Sequence, residues 1–96
     1  MLTENSWPYP NTTHHFLIIC DKHKEKFADL KLDDFAAVRY LVNWAGKKFS
    51  IKGGGLVIRF GDTNYTGATV CHLHFHLIVP ELNKEGVAIT VPFPIG

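Results

Sequence analysis

The chain has 96 residues, ten Lys and Arg against nine Asp and Glu, and a formal net charge of +1. That length holds one small domain, and the near balance of charge argues against a nonspecific binder of nucleic acid polymers, which carries a basic excess. Seven Phe, three Tyr and two Trp at low net charge exclude a disordered chain, and no apolar run approaches the roughly 20 residues that span a bilayer.

The first residues, Met1 to Trp7, lack a basic stretch followed by an apolar one, so no signal peptide is read there. Cys20 and Cys71 are too few for a disulfide framework. They read as thiols of a cytoplasmic protein, with a single disulfide left open. Pro8 and Pro10 forbid a helix over 5–14 and favour an extended or turning path. His15 to Cys20 is a β-rich apolar run that predicts a buried strand, and Asp21 to Lys26 a polar exit from it.

The spacing of Leu32, Phe35, Val38, Leu41, Val42, Ala45 and Phe49 predicts one long amphipathic helix. Asp33 and Asp34 cap its start, and Lys47 and Lys48 complement the dipole at its end. Gly53 to Gly55 is a break, Leu56 to Phe60 a second strand, and Gly61 to Gly67 a loop. Ala68 to Val79 predicts a third strand, Asn83 to Gly86 a hairpin turn, and Val87 to Val91 a last strand ended by Pro92 and Pro94. The result is a single α+β domain over 1–96, with a mainly antiparallel sheet of about four to five strands and one main helix. One helix covers one face of such a sheet, so the remaining edge or face calls for a partner.

Six histidines need explaining, three of them on one predicted strand. Side chains alternate along a strand, so His72, His74 and His76 share one face, about 6.5–7 Å apart along the chain, and Leu73, Phe75 and Leu77 share the other. Three readings stand. A wet polar face would be served as well by Thr, Lys or Glu. A zinc or iron site could use His-x-His with His15 or His23, but no Asp or Glu lies between Asp62 and Glu81 to support the ligands. Anion chemistry is favoured, because one rigid element then supplies a nucleophile, a proton donor and phosphate hydrogen bonds. A backbone carbonyl two residues away can fix the nucleophile's tautomer. Crowding of three imidazoles should also push at least one pKa below its usual value. Gly67-Ala68-Thr69 leads into the strand, with backbone N–H groups and a hydroxyl for phosphate oxygens. Cys71 falls on the face opposite the triad.

The run His72-Leu-His74-Phe-His76-Leu-Ile follows the pattern His-φ-His-φ-His-φ-φ, with φ apolar, and resembles the histidine triad (HIT) family of nucleotide hydrolases and transferases. His15 to His23 is similar to the family's upstream strand. Asn5-Ser-Trp7-Pro-Tyr9 and Val91-Pro-Phe93-Pro-Ile95 resemble segments of its dinucleoside polyphosphate hydrolase and phosphorylase-like branch. The resemblance implies attack by His74 on the α-phosphate of a purine nucleotide through a covalent nucleotidyl-histidine. The His72 backbone would orient His74, His76 would bond phosphate oxygens, and His15 would sit beside His72. Thr69, with Gly67 and Ala68, would meet the leaving phosphate. It implies a homodimer, no metal and no cofactor in the protein, and a substrate able to enter as a magnesium complex. Trp7 and Tyr9 are open to stacking on the base or to packing, with Asn5 in the same segment. Arg59, near the place of a family Asn, is open to binding phosphate or to solvation. Ala68 stands where many members carry Gln. Set beside the family the chain reads as N-terminally short. His14 and His23 are expected outside the chemistry, His14 as a surface neighbour of His15.

Overall fold

A computed structural model describes residues 1–20, 22–68 and 72–95. Four strands, β1 (Leu2–Glu4), β2 (Thr12–Ile19), β3 (Gly55–Ile58) and β4 (His74–Pro80), form one antiparallel sheet in the order β1-β2-β4-β3. Helix α1 (Leu32–Lys48) covers one face, and a single turn of helix, α2 (Thr63–Thr66), stands before β4. The domain is α+β, as the hydropathy pattern implies.

The β2–β4 register sorts the side chains. Phe16 pairs with Leu77 and Ile18 with Phe75, and these four lie buried under α1 against Ala45 and Val38. Leu17 pairs with His76 and Ile19 with His74, which puts them on the opposite face. One alternation therefore builds the core and clears a surface for the histidines.

Helix α1 begins where the Asp34 carboxylate accepts the Lys31 N–H at 2.7 Å and ion-pairs with Lys24. The Lys24 ammonium, then the Lys31 N–H, hold that carboxyl below its usual pKa range. Asp34 is thus the working cap, and Lys47 and Lys48 occupy the last turn. The predicted stripe holds at its centre, with Val38 and Ala45 buried, and fails at its start. Leu32 is 87% exposed.

Several predicted elements change. β2 starts at Thr12 rather than His15, since Thr12 and His14 pair with Pro80 and Val79. β1 adds an edge strand ahead of the Trp7-Pro-Tyr9 segment, paired through Leu2 and Ile18. The loop over 61–67 contains α2, capped by the Asp62 side chain on the Asn64 N–H at 2.8 Å. The third strand begins at His74, not Ala68. Val87–Val91 is not a strand: only the Leu82–Ala88 bridge forms, with Asn83 N–H on Val87 O and Ile89 N–H on Glu81 O. Alternating β-branched residues supply strand propensity, but beyond that rung no neighbouring strand offers a ladder. Thr69, Val70 and Cys71 lie outside the described residues, so the expected places of Thr69 and Cys71 are not assigned.

At Gly54 the chain crosses the Ile78 carbonyl so closely that a Cβ would lie 2.6 Å from that oxygen. Gly54→Ala is therefore expected to cost about 1–3 kcal/mol by urea denaturation, the usual cost of overpacking. Gly53→Ala, with nothing within 4 Å, should stay near the parent.

Candidate active site

Asn5, Trp7 and Tyr9 from the turn between β1 and β2, Leu17 and Ile19 from β2, Arg59 after β3, and His72, His74 and His76 line one cleft of about 400 Å³. The N-terminal turn is built locally. Asn5 extends the ladder through its N–H to His15 O at 2.8 Å, and its side-chain oxygen accepts the Trp7 N–H at 3.0 Å. Thr12 Oγ1 closes the far side on Tyr9 O at 2.7 Å. A larger hollow of about 790 Å³ lies near the Gly53–Gly55 break, but among the described residues His14 and Lys52 are its only ionisable groups. The convergence of imidazoles makes the smaller cleft the candidate site.

The histidine tautomers follow from their partners. His74 Nδ1 lies 2.9 Å from the His72 carbonyl oxygen, which can only accept. Nδ1 therefore carries the hydrogen, and in neutral His74 the lone pair is on Nε2. The same logic gives His72 an Nε2–H donated to Cys20 O at 3.1 Å. The Tyr9 N–H donates to His15 Nδ1 at 3.2 Å, so His15 Nε2–H donates to His76 Nδ1 at 2.8 Å. His76 then carries its hydrogen on Nε2, which is buried and has no partner among the described residues.

Two expectations about this cluster are corrected. His15 sits beside His76, not His72. Pairing of His15 with Ile78 and of Leu17 with His76 makes His15 and His76 diagonal neighbours on one face. His72 instead meets His23, with ring centroids 5.0 Å apart. The His74 and His76 rings approach to 4.9 Å, closer than the strand repeat, because the side chains tilt toward each other.

Burial above all, then the charges of His74, His15 and Arg59, push His76 down to about 4. Burial also lowers His15. Crowding contributes as expected, but removal from water is the larger cause. Both rings are neutral at pH 7 in the folded chain, whereas unfolded histidines take up protons near about pH 6.5. The unfolded state thus binds more protons in the interval between. Stability is full above about pH 6.5, falls as the pH drops toward 4, by roughly 3 kcal/mol for His76, and then levels off. Urea midpoints at pH 7.5, 6 and 5 should fall in that order, and His76→Gln should flatten the slope.

The other sequence candidates divide. Trp7 stands at the cleft rim, 78% exposed, free to stack. Tyr9 is instead packed into the wall, 4.5 Å from the His15 ring and 6.0 Å from His76. Asn5 Nδ2 lies 3.4 Å from both His15 nitrogens. Arg59 is engaged within the chain: its Nη1 donates to Pro94 O at 3.2 Å in an exposed hydrogen bond. Gly67 and Ala68 do not offer open N–H groups to a phosphate. Gly67, left-handed at φ 67°, closes α2 on Thr63 O, and Ala68 N–H donates to Thr66 Oγ1. His14 is no surface neighbour of His15, since alternation turns it to the helix side, stacked on Phe16 at 5.4 Å. Leu17 and Ile19, the cleft floor, were legible from the period of two they share with His15. Among the described residues no group of three His, Cys, Asp or Glu is arranged to hold a metal ion, and no helix is long and apolar enough to cross a membrane.

The family model for the HIT domain matches residues 8–82, from the site-building turn through β4. The chain belongs to the HIT family. It is 33% identical over 73 residues to an uncharacterized HIT-like protein of Chlamydia muridarum (strain MoPn / Nigg), covering 73% of this chain and 57% of the relative. It is 34% identical over 73 residues to an uncharacterized HIT-like protein of Chlamydia trachomatis serovar D, covering 73% and 65%. This HIT chain thus spans about three fifths of the length of the curated relatives it matches. No solved structure matches it.

Proposed function

We propose that this HIT domain is a hydrolase or nucleotidyl transferase acting at the α-phosphate of a purine nucleotide, of the dinucleoside polyphosphate or nucleoside phosphoramidate type. One observation carries the reading: the His72 carbonyl fixes the hydrogen of His74 on Nδ1 and leaves the Nε2 lone pair for attack. His74 Nε2 forms a bond to the α-phosphorus as the bond to the leaving oxygen or nitrogen breaks. The departing group keeps that electron pair and takes up a proton. Water or phosphate then attacks the same phosphorus, the N–P bond breaks, the acceptor loses its proton, and neutral His74 is restored. The unpaired His76 Nε2–H is a donor for a phosphoryl oxygen. Trp7 offers its exposed indole to the base. No protein-bound metal or cofactor enters this scheme, and the substrate is free to arrive as a magnesium complex.

A homodimer belongs to the same reading. Its support is the exposure of Leu32, Tyr40 and Trp44 along α1 and of Leu56 on the edge strand β3. Sedimentation equilibrium reads it directly.

The test is incubation with diadenosine polyphosphates, adenosine phosphoramidate and adenylylated lysine, with and without added phosphate. Products are read by chromatography, and a nucleotidyl adduct on His74 is sought by mass spectrometry. Turnover with an adduct on His74 supports the proposal. The engaged Gly67 and Ala68 amides favour a second reading, a nucleotide-binding module without catalysis. Calorimetric binding of AMP or GMP with no adduct and no turnover would establish that one.

A further inference from the structure

The sequence motifs account for the histidines but not for what covers them. The C-terminal segment after the Leu82–Ala88 bridge turns back over the site. The Phe93 ring meets His76 at 4.9 Å and 82°, and Tyr9 at 5.6 Å and 65°. Arg59 holds the segment there, with Nη1 on Pro94 O at 3.2 Å and the guanidinium 5.3 Å from the Phe93 ring centroid. Beneath this cover His76 is only 4% exposed, and its Nε2–H is buried with no partner among the described residues. A buried donor without a partner is costly, so it persists only where the surroundings impose it.

We propose that Phe93 is a positioning residue of the histidine site. Packed on His76 and Tyr9, it fixes the plane of the His76 ring and screens Nε2–H from water, so that a substrate oxygen becomes that hydrogen's first partner. The nucleotide reading supplies only the identity of that oxygen. The screening stands on the ligand-free geometry. The groups facing His76 are His15 from β2, His74 on its own strand, Arg59 after β3 and the Tyr9 phenol. The C-terminal segment presents the uncharged Phe93 ring. Removing that ring therefore admits water without removing a charge, and the charged form of His76 becomes easier to reach.

The experiment is two-bond ¹H–¹⁵N correlation on histidine-labelled protein without nucleotide, across a pH series. In the parent, His76 should be the Nε2–H tautomer and titrate well below pH 6.5. In Phe93→Ala its midpoint should rise by about one pH unit, a tenfold gain in proton affinity. Phe93→Leu should stay near the parent, because it restores apolar cover. If Phe93→Ala loses the fold, the Leu and Val variants carry the test through a midpoint that rises as cover shrinks. A His76 midpoint that ignores the size of residue 93, or an Nδ1–H tautomer in the parent, overturns the proposal. If a substrate is turned over, the acid limb of its pH–rate profile should move with the midpoint. A moved midpoint with no turnover of any nucleotide would overturn the catalytic reading and leave this one standing.

Discussion

His74→Ala is expected to lower turnover of the best nucleotide in the panel by about 10⁴-fold or more, the scale seen when a covalent nucleophile is removed. The expectation follows from the division of labour between His72 and His74. The group that fixes the tautomer of His74 is the His72 carbonyl, 2.9 Å from Nδ1, and belongs to the backbone. Alanine at position 72 keeps that carbonyl, so His72→Ala should lose far less than His74→Ala. It removes the bond from His72 Nε2 to Cys20 O and the ring contact with His23. His74 is half-buried on the cleft side of the sheet and its side chain supports no part of the core. Its loss should thus shift stability by no more than about 1 kcal/mol. Product chromatography and urea denaturation on the same samples separate the two effects. Turnover by His74→Ala within tenfold of the parent would remove His74 from the role of nucleophile.

Phe16→Ala is expected to cost about 3–5 kcal/mol, the range for emptying a buried aromatic site. Phe16 is 1% exposed and packs on Ala45 and Leu77, with the Phe49 ring at 5.0 Å and the His14 ring stacked at 5.4 Å. A domain of this size has a total stability of about 5–15 kcal/mol, so the loss is a large share of the whole. The urea midpoint, followed by circular dichroism, should fall by roughly 2 M. The site would suffer with it, because Phe16 lies on β2 between His15 and Leu17, whose register holds His15 against His76. A midpoint within about 0.5 M of the parent would mean that the α1–sheet interface does not carry the stability assigned to it.

Much of the site was legible before any coordinates. The alternation His72-Leu73-His74-Phe75-His76 already puts imidazoles on one face and core residues on the other, and the sheet obeys it. The tautomer of His74 was legible too, since its partner lies two residues away along the same chain. What was not legible depends on partners distant in sequence. His15 was expected beside His72. It bonds His76 because an antiparallel register is set by β2 and β4 together. Val87–Val91 has the composition of a strand, but strand formation needs a neighbour, which composition does not reveal. The loop N–H groups of Gly67 and Ala68 looked open to phosphate, and the turn of α2 uses them.

By itself the sequence determined the main helix, the apolar centres of β2, β3 and β4, the shared face of His74 and His76, and the family to which the chain belongs. Period and local hydrogen bonding act over a few residues and are written in residue order. Only the tertiary structure decided which histidines touch, that burial more than mutual repulsion keeps His76 neutral, and that the Phe93 ring packs on His76 while Arg59 bonds the Pro94 carbonyl. Those outcomes depend on which surfaces lose water when β2, β4 and the C-terminal segment pack together, and desolvation belongs to the assembled fold rather than to any stretch of chain.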